Sequence, residues 1–204
     1  MTAKRRASAA KQRTGTAAKR AATASRTGAP THVALLRALN VGGTSVITMA
    51  DLRTIFEKAG ARDVRTILAS GNVLFGADDV DGCIARVQAA FLKRGARKPP
   101  AIMVRSLAAI RTLVAARPYG APMPPAGTTW YVSFLDAPPA RTPTLPHTIP
   151  SGDVRYVCLV GLALCATVTP LPGGTSVDHF KPETLFKVSA TVRNWNTVLR
   201  LIAE

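Results

Sequence analysis

Between Thr31 and Ser106 the spacing of apolar residues switches repeatedly between strand and helix periods, and that order leaves few folds open. "HVALLRAL" is a short apolar run with one charge, the pattern of a buried strand near 32–39. In "TMADLRTIFEKAG", Thr48 and Asp51 have the spacing of a capping box. Met49, Leu52, Ile55, Phe56 and Ala59 then share one helical face, and Gly60 is a stop. "DVRTILASGNVLFGA" predicts strands over 63–69 and 72–76 joined by a Ser70-Gly71 turn. Val80, Cys83, Ile84, Val87 and Phe91 recur at helical spacing, and "AIMVRS" is a further strand. The order β-α-β-β-α-β is that of a ferredoxin-like lobe, a mostly antiparallel sheet with helices on one face.

The second half predicts a smaller α+β lobe. Ser106 caps a helix whose Leu107, Ile110, Leu113 and Val114 face inward, ending before Pro118. After a Pro/Gly-rich loop, "WYVSFLDA" is a strand, and "PPARTPTLPHTIP" is too proline-rich for a long helix. "DVRYVCLVGLALCATVT" is a hairpin about Gly161. With Gly161-Leu162 as its turn, residue 160 pairs with 163 and Cys158 lies opposite Cys165. Those two cysteines serve either as an oxidant-sensitive pair or as small core hydrophobes, the simpler reading. A short helix begins near Pro182. A final helix over "ATVRNWNTVLR" carries Val192, Trp195, Val198, Leu199 and Ile202 as an apolar stripe, with Arg193, Asn196, Thr197 and Arg200 opposite and Asn194 on the flank. The expected divisions are a tail over 1–30, a ferredoxin-like lobe over 31–105 and a second lobe over 106–204.

Charge is unevenly spread along the 204 residues. Of 27 basic residues, eight (Lys4, Arg5, Arg6, Lys11, Arg13, Lys19, Arg20 and Arg26) fall in residues 1–30, which hold no acid; the remaining 19 face all 11 acids. A segment this basic, with Ala, Thr and Ser between its charges, is expected to be disordered in isolation and to attract nucleic acid non-specifically through phosphate neutralisation. An incidental basic leader and an organellar transit peptide are the competing readings. The remainder, rich enough in apolar residues for a real core, is expected to be cytoplasmic and off the membrane, since no apolar run approaches the roughly 18 residues of a span. Three cysteines without close repeated spacing suggest neither a disulfide framework nor a zinc site, and His32, His147 and His179 are scattered, so no metal and no cofactor is expected.

Three stretches, "ALLRALNVGGTSVITMADLRTIFEKAGARDVRTILASGNVLF", "WYVSFLDAPP" and "ATVRNWNTVLRL", together resemble the family named domain of unknown function 1697, uncharacterised and mainly bacterial proteins. The resemblance runs from about residue 32 to 204 and implies an α+β fold without an established catalytic role. Its arginine-glycine-x-asparagine-x-glycine-glycine pattern falls on Arg37, Ala38, Asn40, Gly42 and Gly43, with alanine in place of the first glycine. Its serine-glycine-asparagine stretch falls on Ser70, Gly71 and Asn72, and its arginine-asparagine-tryptophan-asparagine stretch on Arg193, Asn194, Trp195 and Asn196. A serine-lysine loop corresponds to Ser176-Val177, without the lysine; Lys181 is the nearest substitute.

Two readings compete for these polar residues. In one they are architectural: Gly42 and Gly43 make a turn, Asn72 bonds its own hairpin, and Asn194 caps or bridges. In the other, Arg37, Asn40, Gly42, Gly43, Ser70, Asn72, Arg193 and Asn196 are a ligand-binding surface for a small anion. "NVGGTS" is no phosphate-binding P-loop, lacking the second spaced glycine and the Lys-Ser/Thr end. Asp178-His179 is a weak base-and-carboxylate pairing, no Ser or Cys sits in a nucleophile motif, and Phe75 alone is a poor platform for RNA bases. The leading expectation is a module binding a small anionic ligand or a partner. The alternatives are an enzyme acting on a phosphorylated or carboxylated metabolite, and a structural or oligomeric protein using 118–150 as a contact loop.

Overall fold

A computed structural model of the protein describes residues 28–37, 47–172 and 180–203. Strand β1 (His32–Leu36) leads to helix α1 (Met49–Lys58), strands β2 (Arg62–Ile67) and β3 (Asn72–Gly76), helix α2 (Val80–Lys93) and strand β4 (Ile102–Ser106). Thr48 opens α1 as its spacing predicts: its Oγ1 accepts the Asp51 N–H at 3.0 Å and donates to the Asp51 carboxylate at 2.8 Å. Gly60, at φ +93°, takes the left-handed conformation that ends the helix. The four strands form one antiparallel sheet in the order β2-β3-β1-β4. The β2–β3 turn is longer than the expected Ser70-Gly71 pair, spanning residues 68–71, with Leu68 and Gly71 both at positive φ.

Ser106 ends β4 and is also the N-cap of helix α3 (Leu107–Ala115), so no linker separates the two halves of the chain. Strands β5 (Thr129–Leu135), β6 (His147–Thr148), β7 (Val154–Val160) and β8 (Ala163–Val168) follow, then helix α4 (Pro182–Phe186), strand β9 (Ala190–Asn194) and helix α5 (Trp195–Arg200). The second sheet is antiparallel throughout, in the order β6-β7-β8-β5-β9. The expected hairpin register is realised: Val160 pairs with Ala163 and Cys158 with Cys165, about Gly161 at φ +57°. The described residues thus form an α+β protein with two antiparallel sheets and five helices.

Alternation along the central strands explains why they read as continuous apolar runs. On β1, Ala34 and Leu36 turn toward Leu52, Ile55 and Phe56 of α1 and Cys83, Val87 and Phe91 of α2. Val33 and Leu35 turn the other way, into a second core shared with Leu107, Ile110 and Leu113 of α3, Trp130, Val132 and Phe134 of β5, and Trp195 and Val198 of α5. That core joins both sheets. The far face of the second sheet buries Leu135, Tyr156, Leu164 and Ala166 against Phe186. Sheets covered on both faces need apolar residues at successive positions.

The single helix expected over 190–200 is instead two elements. Residues 190–194 pair with β5 as β9, and Asn194 then turns the chain into α5, its Oδ1 accepting the Asn196 N–H at 2.9 Å. Thr191 and Val192 are β-branched and fit an edge strand, while Asn is among the best helix N-caps. A stripe drawn at helical spacing through Val192 therefore fails. The tryptophan remains an anchor: Trp195 is buried, edge-on to Tyr119 with ring centroids 5.2 Å apart, and Tyr119 stacks on Trp130 at 4.3 Å.

Candidate functional site

The strand assignment reverses the expected direction of Arg193. Its cross-strand neighbour Val132 points into the core between the sheets, and Arg193 follows it there, only 8% exposed. Its Nε donates to Asn72 Oδ1 at 2.5 Å. Nη1 donates to Thr191 Oγ1 and the Val192 carbonyl, both at 2.8 Å, and Nη2 to the Leu36 carbonyl at 2.8 Å, with the Ser70 and Gly71 carbonyls at 3.3 and 3.4 Å. Every nitrogen is engaged, all on neutral acceptors, and burial pulls the guanidinium down to about 10. Asn72, fully buried, fixes its own carboxamide by donating to the Ile67 carbonyl and Ser70 Oγ, both at 2.9 Å. Ser70, Asn72 and Arg193 therefore meet in a lock between the sheets whose donors are already committed.

Arg37 and Asn196 take no part in this lock. Arg37 is about half exposed and makes a fork-to-fork pair with Glu183, whose Oε1 also accepts the Ala190 N–H at 3.0 Å. Asn196 is exposed on α5, and its backbone N–H is held by Asn194. Asn40, Gly42, Gly43, Ser176, Val177, Asp178, His179 and the eight tail cations lie outside the described residues. Phe75 is fully buried and offers no stacking platform. Among the described residues no group of three or more His, Cys, Asp or Glu is placed to hold a metal ion, and no helix is long and apolar enough to cross a membrane.

A different arginine lines a cleft. On β4, Met103 faces the core between the sheets, and the two-residue period puts Arg105 on that same face near its edge. Its Nη1 donates to the Val104 carbonyl at 2.6 Å and its Nη2 to the Leu135 carbonyl, while its Nε is buried with no acceptor. No carboxylate pairs with it among the described residues. Asp136 attracts it only from a distance, and burial outweighs that attraction, lowering its pKa. Arg105 borders a cleft of about 230 Å³ between α3 and the β7–β8 turn, walled by Ala109, Ile110, Phe134, Val160 and Ala163. Sequence reading passed over this residue. Its one signal was a charge at the penultimate position of an otherwise apolar strand.

One row deeper on the hairpin lie Cys158, half-buried, and Cys165, buried. A hydrogen bond from the Cys165 thiol pulls the Cys158 thiol below the ordinary thiol range, and the same bond together with burial pushes Cys165 up.

A protein-family model described as "Protein of unknown function (DUF1697)" matches residues 30–152, more than half of the chain. No curated protein matches. Among solved structures, a conserved bacterial protein of Streptococcus pneumoniae is similar, with a TM-score of 0.62 at 17% identity, over 86% of this chain and 98% of that one. At that identity the likeness concerns the fold. With strands β1 to β6 and helices α1 to α3 inside the matched span, the chain belongs to the DUF1697 family.

Proposed function

We propose that the protein is a binding module for a small anionic ligand, and that Arg105 rather than Arg193 is the cation that receives it. One observation carries this reading: a half-buried guanidinium, without a paired carboxylate and with an unmet Nε donor, borders a cleft. Burying a guanidinium without a counter-charge is costly, and an anion in the cleft would offset part of that cost. Arg193 offers no such gain, because its donors are spent within the protein. Arg37 is already paired with Glu183, which would compete with any anion for it.

Several other features accompany this reading. The order β-α-β-β-α-β and the sheet order β2-β3-β1-β4 support a ferredoxin-like assignment for the first lobe, 31–105, against a second over 106–204. The basic segment 1–30 would add non-specific attraction to nucleic acid, in a cytoplasmic setting. The test is a thermal-shift screen of the full chain and of Arg105→Gln against acetate, octanoate, inorganic phosphate and sulfate. A ligand at 100 times its dissociation constant stabilises by about 2.7 kcal/mol. Stabilisation of the parent chain and not of Arg105→Gln is expected; equal response of both, or of neither, removes the proposal.

A further inference from the structure

We infer that the cleft beside Arg105 takes a monocarboxylate with a short apolar body, such as a medium-chain fatty acid or an arylalkanoic acid. The inference rests on the anion-binding reading above and narrows its ligand class. The chemistry of the walls decides it. Arg105 supplies a planar guanidinium suited to the two oxygens of a carboxylate, and apart from Thr112 of α3 the side chains around the cleft are apolar, among them Ala109 and Ile110 from α3, Phe134 from β5, Val160 and Ala163 from the hairpin. A phosphate or sulfate dianion would gain the cation but would forfeit its hydration against those walls, whereas an aliphatic or aromatic body gains by covering them.

Size sets the second limit. A dry apolar cavity of about 150 Å³ accepts benzene, so 230 Å³ scales to roughly nine non-hydrogen atoms. Nucleotides are too large. The two hydrogen bonds that Arg105 makes, from Nη1 to the Val104 carbonyl and from Nη2 to the Leu135 carbonyl, hold its guanidinium against both sheets and leave one N–H on each of these nitrogens unspent. The charged end is thus preorganised at the β4 margin, and the apolar body would lie along α3 toward the β7–β8 turn.

Isothermal titration of the full chain with the sodium salts of acetate, butanoate, hexanoate, octanoate and decanoate tests this, with inorganic phosphate, sulfate and neutral octanol as controls. Affinity should rise about three- to fourfold for each buried methylene and level off between hexanoate and octanoate, where the cleft is full. Arg105→Gln should weaken octanoate at least about tenfold, the cost of a charge-assisted pair. Ala109→Trp, at an exposed position of α3, should block the cleft without touching the charge or the melting temperature, so the result stands even where Arg105→Gln unfolds. Arg105-dependent binding of acetate and phosphate with no gain from chain length overturns the ligand class and leaves the anion-binding function in place. Binding of no anion at all overturns both. Octanol binding as tightly as octanoate, or octanoate binding that survives Ala109→Trp, places the apolar site elsewhere and also overturns the inference.

Discussion

The Nε of Arg193 reaches the side-chain oxygen of Asn72 at 2.5 Å across 121 positions of sequence, tying the edge strand of one sheet to the start of β3 in the other. The amide of Asn72 is held from behind by Ile67 and Ser70, so its oxygen has one direction to face. The pair and the carbonyls around it form a closed circle of donors and acceptors at the place where the two sheets meet.

A double-mutant cycle measures that circle. Asn72→Ala should cost about 1–3 kcal/mol by leaving buried partners unmet, and Arg193→Met at least about 3 kcal/mol, because several acceptors lose their donor together. The double variant should show a coupling of about 1–3 kcal/mol in urea melts. Additivity within about 0.5 kcal/mol would mean that the two residues act independently.

Three neighbours at the start of α5 should respond differently. Trp195→Ala removes a buried indole from the shared core and should cost about 3–5 kcal/mol. Asn194→Ala loses the helix cap and should cost about 1 kcal/mol. Asn196→Ala, exposed and linked through its backbone only, should stay within about 0.5 kcal/mol of the parent. Chemical denaturation of the three variants checks the ranking; a larger loss at Asn196 than at Asn194 contradicts the cap.

The thiol pair predicts a pH dependence. Cys165 lies directly opposite Cys158, where its thiol is placed to donate to a Cys158 thiolate, which therefore forms at lower pH than an ordinary cysteine thiolate. Iodoacetamide alkylation of Cys158, followed by peptide mass spectrometry, should therefore rise with pH and reach half its maximum below the midpoint of a free thiol. Cys165→Ala removes the donor and should move the midpoint upward. Buried Cys83, whose thiol is pushed up by burial, should react slowly throughout. An unchanged midpoint in Cys165→Ala would rule out the thiol–thiol hydrogen bond as the cause.

Removing residues 1–30 should leave the melting temperature nearly unchanged and abolish most binding to generic duplex DNA at low salt. Eight neutralised phosphates, at about 0.9 each, set an upper limit of about 7 on the salt slope the segment contributes. Fluorescence anisotropy at several salt concentrations reads it. Equal binding by the shortened chain would put the DNA-attracting surface on the folded body.

Features that depend on neighbours in sequence were legible beforehand. Thr48, Ser106 and Gly60 mark helix ends through their own chemistry, and a two-residue turn at Gly161 fixes which residues lie opposite, including Cys158 and Cys165. Arg193 was not legible. Its stretch satisfies a helical stripe on paper, and only pairing with β5, some sixty residues earlier in the chain, makes it a strand and turns its charge inward. Arg105 failed for a similar reason, since its cleft is assembled from α3, β5 and the hairpin turn, none of which signals the others. Tyr119 lies in the proline-rich region that one alternative would use as a contact loop; its ring stacks on Trp130 and its hydroxyl donates to the Tyr131 carbonyl at 2.7 Å, contacts that its loop sequence does not signal.

The lock at Arg193 also sets a timetable for the chain as it is made. The Leu36 carbonyl it caps is synthesised 157 residues earlier, an interval of about 8–31 s at ordinary translation speeds of about 5–20 residues per second. Throughout that interval the end of β1 and the β2–β3 turn are without their permanent donor, and the inner face of the first sheet is without Trp195 and Val198. The nascent first half therefore has to be shielded by water or a chaperone before its own partner emerges, and a ribosome stalled ahead of residue 193 would present the cell with a complete first sheet whose inner face still lacks its last cover.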